Sequence, residues 1–328
     1  MIISRTPFRM SYVGGGTDIS AFYLDEPGAV VSTSINKYMY ITLHKKFDSS
    51  TRIAYSRVEE VDHIKDIIHP LVRESLQMLS IDGGIEITST ADIPAKGTGL
   101  GSSSSYTVGL LNVLYEYKGL KVDKFQLAND ACNIEINICK EPIGKQDQFA
   151  ASYGGLKMYE FYPNDSVKVH DIKTSKNFKK LMDDSTISFY LGSTRSASNI
   201  LAKQTKLSSQ PKKKIVLRRM AEIAREFKNS IEESKMDNLI ELMNENWSLK
   251  KSIASEISNN FVNEAFEVGI NAGAKAGKLL GAGGGGFITF FAPLENHNEI
   301  RKSLARLKEV SLEMEEGGAS IIFNDNLS

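Results

Sequence analysis

The sequence predicts an α+β fold divided into two domains. Strand and helix signals follow one another without a regular βαβ alternation, which argues against a doubly wound parallel sheet. The 328 residues exceed the usual single domain. The rhythm of the pattern changes near residue 185, beyond which helices dominate, so the expected domains are residues 1–185 and 186–328.

The chain opens with a short strand at Ile2 and Ile3. The segment 5–18 then reads Arg-Thr-Pro-Phe-Arg-Met-Ser-Tyr-Val-Gly-Gly-Gly-Thr-Asp. Gly14, Gly15 and Gly16, followed by Thr17 and Asp18, mark a loop that passes close to another group. Residues 29–44 are rich in Val, Ile, Thr and Tyr and read as strand. Residues 58–79 read as helix. Ile85–Thr90 alternates and reads as strand.

Residues 94–105 are mostly glycine and hydroxyls, including Gly97, Thr98, Gly99, Leu100, Gly101, Ser102, Ser103 and Ser104. Val108, Leu111, Leu114 and Tyr115 then recur at helical spacing, and Lys118 with Gly119 supplies a basic last turn and a stop. A glycine loop entering a helix N-terminus offers free N–H groups and the positive end of a dipole, which suits a polyphosphate.

The next helix spans 123–139, with Asp123 as N-cap and Leu127, Ala131, Ile134 and Ile138 as its apolar stripe. Glu135 lies beside that stripe. Residues 141–155 read as a polar loop containing Asp147. Ile187–Leu191 reads as strand, and 193–198, with Arg195 and Ser196, opens a helix.

Three helical patterns follow: Val216, Met220, Ile223 and Phe227; Leu239, Met243 and Trp247; Val262, Phe266 and Ile270. A second glycine loop, 278–286, leads into the strand 287–291. A helix through Ile300, Leu304 and Leu307 and a strand at 320–323 end the pattern.

Lys plus Arg and Asp plus Glu both number 40, so the net charge is zero. No global charge favours nucleic acid or an anionic membrane, and any anion binding is local. Cys132 and Cys139 lie about two turns apart on the expected helix, roughly 10 Å, too far for a disulfide. No Cys/His cluster suggests zinc. The first residues lack a signal-peptide pattern, and no apolar run spans a membrane. The expectation is a cytoplasmic protein.

Gly281, Gly283 and Gly286 match the spacing of a dinucleotide fingerprint. That fingerprint follows a strand and opens a helix, whereas this one precedes a strand near the C-terminus, which argues against NAD. Walker and protein-kinase signatures are absent from the sequence.

Taken together, segments 5–18, 94–105 and 278–286 resemble, in order, the three motifs of the GHMP small-molecule kinases, named for galactokinase, homoserine kinase, mevalonate kinase and phosphomevalonate kinase. The resemblance spans nearly the whole chain. It implies an N-terminal domain like the second domain of ribosomal protein S5, a ferredoxin-like C-terminal domain, and a cleft between them.

The form of 5–18 is most similar to the branch that phosphorylates D-glycero-D-manno-heptose 7-phosphate on its anomeric hydroxyl, with sugar 1-kinases for fucose as near neighbours. Between Pro94 and Gly99 the chain carries one residue more than the usual family spacing. Gly15 and Gly16 stand where galactokinases carry Glu-His, which argues against galactose.

By the resemblance, Gly97–Ser104 holds ATP, and Ser103 with Glu135 holds Mg²⁺. Asp147 orients or accepts the proton of the attacking hydroxyl, and Arg9 stabilises γ-phosphate charge. Gly14, Gly15, Gly16, Thr17 and Asp18 face the sugar. Arg195 and Ser196 receive a phosphate already on the substrate, because an anion there needs a cation and N–H donors. The implied partner is a small-molecule sugar phosphate, with the protein a monomer or homodimer. A sensor of the same fold without turnover is the alternative class; retention of Ser103, Glu135 and Asp147 argues against it.

Overall fold

The computed structural model describes residues 1–94, 97–192, 197–208 and 210–325. The strands before residue 185 are β1 (Ile2–Val13), β2 (Gly28–Lys45), β3 (Thr51–Ala54), β4 (Val58–Val61), β5 (Ile85–Ala91), β6 (Leu156–Phe161) and β7 (Val167–Asp171). Those after it are β8 (Thr186–Gly192), β9 (Ala276–Leu279), β10 (Gly286–Phe291), β11 (Lys308–Glu309), β12 (Met314–Glu315) and β13 (Ser320–Asn324).

The β-branched run in β2 makes it the axis of the first sheet. β1 lies antiparallel along one edge of it, from Ile2 opposite Leu43 to Val13 opposite Val31. The other edge is shared: residues 28–33 pair with β6, and 39–45 pair with β5. β8 to β11 form a separate antiparallel sheet in the order β11-β8-β10-β9. The chain does not remain with that second sheet, because β12 pairs with β2 and β13 with β1.

The glycine-rich segment 5–18 is mostly strand, and only its end turns away from the sheet. The expected helix over 58–79 divides into β4, a 3-10 turn at Ile64–Asp66 and a helix at Pro70–Met78. Pro70 supplies a preset φ and lacks a donor, which favours the first helical turn. Glu59, buried on β4, receives the Ile68 and His69 N–H groups and the Tyr55 hydroxyl, fixing the approach to that helix. The polar segment 141–155 contains the helix Gln146–Tyr153, buried along most of its length.

The two sheets meet across β1. The Tyr12 ring stacks on Phe227 at 5.6 Å and meets Phe291 edge-on at 6.2 Å. Lys278 of β9 reaches across to donate to the carbonyls of Ser11 and Tyr12, at 2.7 and 2.8 Å. Burial pushes its pKa well below the ordinary lysine value.

The two glycine loops interlock at the same boundary. A Cβ on Gly99 would overlap the Leu280 carbonyl, and one on Gly281 would overlap Gly99. Both glycines have left-handed φ, +75° and +78°. Gly281→Ala should therefore destabilise the protein, with the left-handed backbone alone costing about 1–2 kcal/mol. Gly15→Ala should leave stability nearly unchanged, because a Cβ there finds only ordinary contacts at 3.5 and 3.6 Å. Thermal unfolding of both variants checks the contrast; equal midpoints would contradict the interlock.

Candidate active site

Arg9 on β1 is 4% exposed and joins three segments. Its Nε and Nη2 donate to the two carboxylate oxygens of Asp147, each at 2.8 Å. Its Nη1 donates to the Gly99 carbonyl at 2.7 Å, and its backbone N–H to the Leu100 carbonyl. This is a charge-assisted fork with fixed direction. Asp147 lies in the first turn of its helix, with a side chain 24% exposed, so its carboxylate keeps an open edge while the arginine is enclosed.

That helix is anchored by Asp18. The Asp18 carboxylate accepts from the Gly16 N–H at 2.9 Å and the Gln146 N–H at 3.2 Å. Its pKa is raised by burial first and by the nearby Asp147 second. Asp18 and Thr17 were expected to face the sugar, but both serve the backbone. Thr17 is fully buried, donating to the Ala29 carbonyl and accepting from the Ala29 N–H. Asp18 is 5% exposed, with both oxygens on amides. Gly14 donates to Asn246 Oδ1 at 3.0 Å.

The phosphate-loop candidate alternates left-handed glycines, with φ of +72°, +75° and +74° at Gly97, Gly99 and Gly101. No side chain caps the N-terminus of the helix Ser102–Tyr117 that it opens. Unpaired N–H groups there can receive an anion. Thr98 and Ser102 hold each other through their hydroxyls at 3.0 Å, and Leu100 is buried. Ser104 is buried beneath the loop, whereas Ser103 is exposed and donates to Glu135 Oε1 at 2.7 Å.

Glu135 owes its place to a change of helix type. The helix Lys124–Cys132 runs into a π-helical turn, Asn133–Ile138, closed by Cys139 N–H to the Ile134 carbonyl. The wider turn rotates the following residues. Ile138, expected in the apolar stripe, is 41% exposed, while Glu135 is fully buried. Gln148 Nε2 donates to its other oxygen at 2.6 Å. Burial raises its pKa to about 7, against the lowering effect of its hydrogen-bond donors.

The donor set fits a hard divalent cation. A carboxylate and an accessible hydroxyl converge beside the uncapped helix, leaving other coordination positions to water and phosphate. Among the described residues, no cluster of three His, Cys, Asp or Glu is placed to hold a metal by itself.

Arg195 and Ser196 lie outside the described residues. The second glycine loop touches the first and contributes no side chain. Sequence reading missed Gln148, Asn246 and Lys250. The last two share one face of the helix Met236–Ile253 and interrupt its apolar register, which runs Leu239, Met243, Trp247 and Ile253. Polar residues within an apolar spacing are the signal that could have found them.

The chain is similar to known proteins in sequence and fold. The model of the GHMP kinases N terminal domain matches residues 62–155, and that of GHMP kinases C terminal matches 227–310. The chain is 28% identical to the D-glycero-alpha-D-manno-heptose 7-phosphate kinase of Campylobacter jejuni, over 92% of each chain. It is 23% identical to the bifunctional fucokinase/GDP-fucose pyrophosphorylase of Arabidopsis thaliana, over 94% of this chain and 31% of that one. The fold superposes on the crystal structure of a D-glycero-D-manno-heptose 1-phosphate kinase from Bacteriodes thetaiotaomicron with a TM-score of 0.81, at 23% identity and 99% coverage of both chains. No helix among the described residues is long and apolar enough to cross a membrane.

The burial of Glu135 has a measurable consequence. Its folded-state pKa, about 7, lies above the ordinary 4.5. In metal-free protein its ionisation therefore costs no stability below the lower value. The cost grows between the two and is complete above the higher. Glu135→Gln removes it. The midpoint of the variant minus that of wild type, measured with chelator, should rise from pH 5 to pH 8; a flat difference would mean the carboxylate is not desolvated.

Proposed function

The chain belongs to the GHMP kinase family of ATP-dependent kinases, and from this premise we propose that it phosphorylates D-glycero-D-manno-heptose 7-phosphate on the anomeric hydroxyl. The product is the 1,7-bisphosphate, a precursor of nucleotide-activated heptose. The observation that carries the catalytic part is the contact between proton acceptor and phosphate cradle: a Cβ on Gly101, at the head of the uncapped helix, would lie 3.3 Å from Asp147 Oδ2. The similarity to the Campylobacter heptose 7-phosphate kinase supports the substrate.

In this reading the loop 97–104 holds the ATP phosphates through its N–H groups. The open edge of Asp147 takes the hydroxyl proton as the oxygen bonds to the γ-phosphorus and ADP leaves. Arg9 fixes the direction of Asp147 and supplies positive charge where negative charge gathers. Mg²⁺, held by Ser103 and Glu135, would neutralise phosphate charge. The similarity to the Arabidopsis fucokinase favours, as a second reading, a 1-kinase for an unphosphorylated sugar.

ADP formation with heptose 7-phosphate, free heptose, fucose and mevalonate separates these readings. Preference for heptose 7-phosphate is expected; preference for a free sugar would replace it with the second reading. Asp147→Asn should bind ATP nearly as wild type by calorimetry and lose about 10²–10⁴-fold in turnover. Turnover near wild type would remove Asp147 from the reaction.

A further inference from the structure

Lys250 is a buried cation that forms no ion pair among the described residues. It is 6% exposed, and its Nζ makes one hydrogen bond among the described residues, to the Gly281 carbonyl at 2.8 Å. An ammonium carries three donors. The carboxylates that act on it are those of Asp18 and Asp147. Both are otherwise engaged, Asp18 with two backbone amides and Asp147 with the Arg9 fork. A buried charge left this way is costly unless something else pairs with it. Lys278 makes the contrast, since it bonds to two carbonyls and joins the domains.

The surroundings of Lys250 share its incomplete pairing. A Cβ on Gly15 would lie 3.6 Å from the ammonium and 3.5 Å from Ser11 Oγ, with no side chain there to fill the space. Ser11 Oγ is buried and has no hydrogen-bond partner among the described residues. Asn246, one helical turn before Lys250, holds Gly14 through Oδ1 and leaves Nδ2 buried with no partner among the described residues. Three polar groups from two domains thus border the same loop with hydrogen-bonding capacity left over.

We propose that Lys250 binds the acceptor substrate, its ammonium holding an oxygen of the sugar or of its phosphate beside the loop 14–16. The assignment rests on the kinase reading above and adds a residue from the second domain to the acceptor site. Lys250 is distinct from the ATP loop: the carbonyl it bonds is that of Gly281 in the second glycine loop, which packs against Gly99. Burial pushes its pKa down to about 8, helped by Arg9 on β1 and opposed by Asp18 and by Asp147. Lys278 on β9 is the other cation coupled to it. The contact therefore holds below that pH and is lost as the ammonium deprotonates above it.

The test uses whichever acceptor the wild type phosphorylates. Lys250→Met keeps the apolar stem and removes the charge. It should raise KM for the acceptor about 10- to 100-fold, the range of a charge-assisted hydrogen bond, with KM for ATP barely changed. Wild-type kcat/KM for the acceptor should fall above about pH 8, and that alkaline limb should vanish in the variant. Lys250→Arg, which keeps a cation that does not titrate, should retain part of the affinity and also lose the limb.

A purely structural role would lower the thermal midpoint and disturb both KM values, which would overturn the proposal. So would an unchanged acceptor KM in both variants. Loss confined to phosphorylated acceptors would assign Lys250 to the phosphate, and equal loss with free sugars to a hydroxyl. Wild-type preference for another acceptor overturns the heptose reading alone, and absence of turnover with every acceptor overturns both.

Discussion

The centre of this protein depends on enclosing the Arg9 guanidinium. Burying a guanidinium is costly unless its donors are matched, and removing one partner of such a pair costs about 3–5 kcal/mol. Arg9 meets that demand with Asp147 on one side and the Gly99 carbonyl on the other. One side chain therefore fixes the Asp147 carboxylate relative to the first glycine loop. The arrangement spans 138 residues of sequence, and β1 is the rigid element that carries it.

Close backbone approach maintains the same register between domains. Gly99 and Gly281 leave no room for a Cβ on either loop, so the loop that joins two strands of the second sheet braces the first glycine loop. Lys278 and Tyr12 hold β1 against that sheet. The return of β12 and β13 to the first sheet ties the chain's last elements to its first strand. In the proposed site both domains take part, the first through Arg9, Asp147, Ser103 and Glu135, the second through Gly281, Asn246 and Lys250.

Much of this was legible in the sequence, for identifiable reasons. Glycines that need left-handed φ, and serines at a helix start, leave a local signature, so the loop 97–104 and its helix were readable. Asp123 announced its cap and makes it, accepting from the Gln126 N–H. Glu135 was read beside the apolar stripe, but the π-turn that buries it and exposes Ile138 has no spacing signal. Asp147 read as a loop residue because its helix is short and depends on Asp18, 129 residues earlier, for its first turn. Glu59 similarly directs a helix start that periodicity alone placed too early. Lys250 stayed hidden because a lysine at a helix end usually meets solvent, and only the tertiary structure shows it facing inward.

The fork geometry predicts that Arg9 and Asp147 act as one unit, and a double-mutant cycle on kcat tests this most directly. Arg9→Met, Asp147→Asn and the double variant would be compared with wild type on the acceptor that wild type phosphorylates, with ATP binding measured in parallel. If the fork is the unit, the double variant should lose about as much turnover as the worse single variant, because either change already dismantles it. Losses that multiply would contradict the account, since they would mean that each residue contributes to phosphoryl transfer independently of the other.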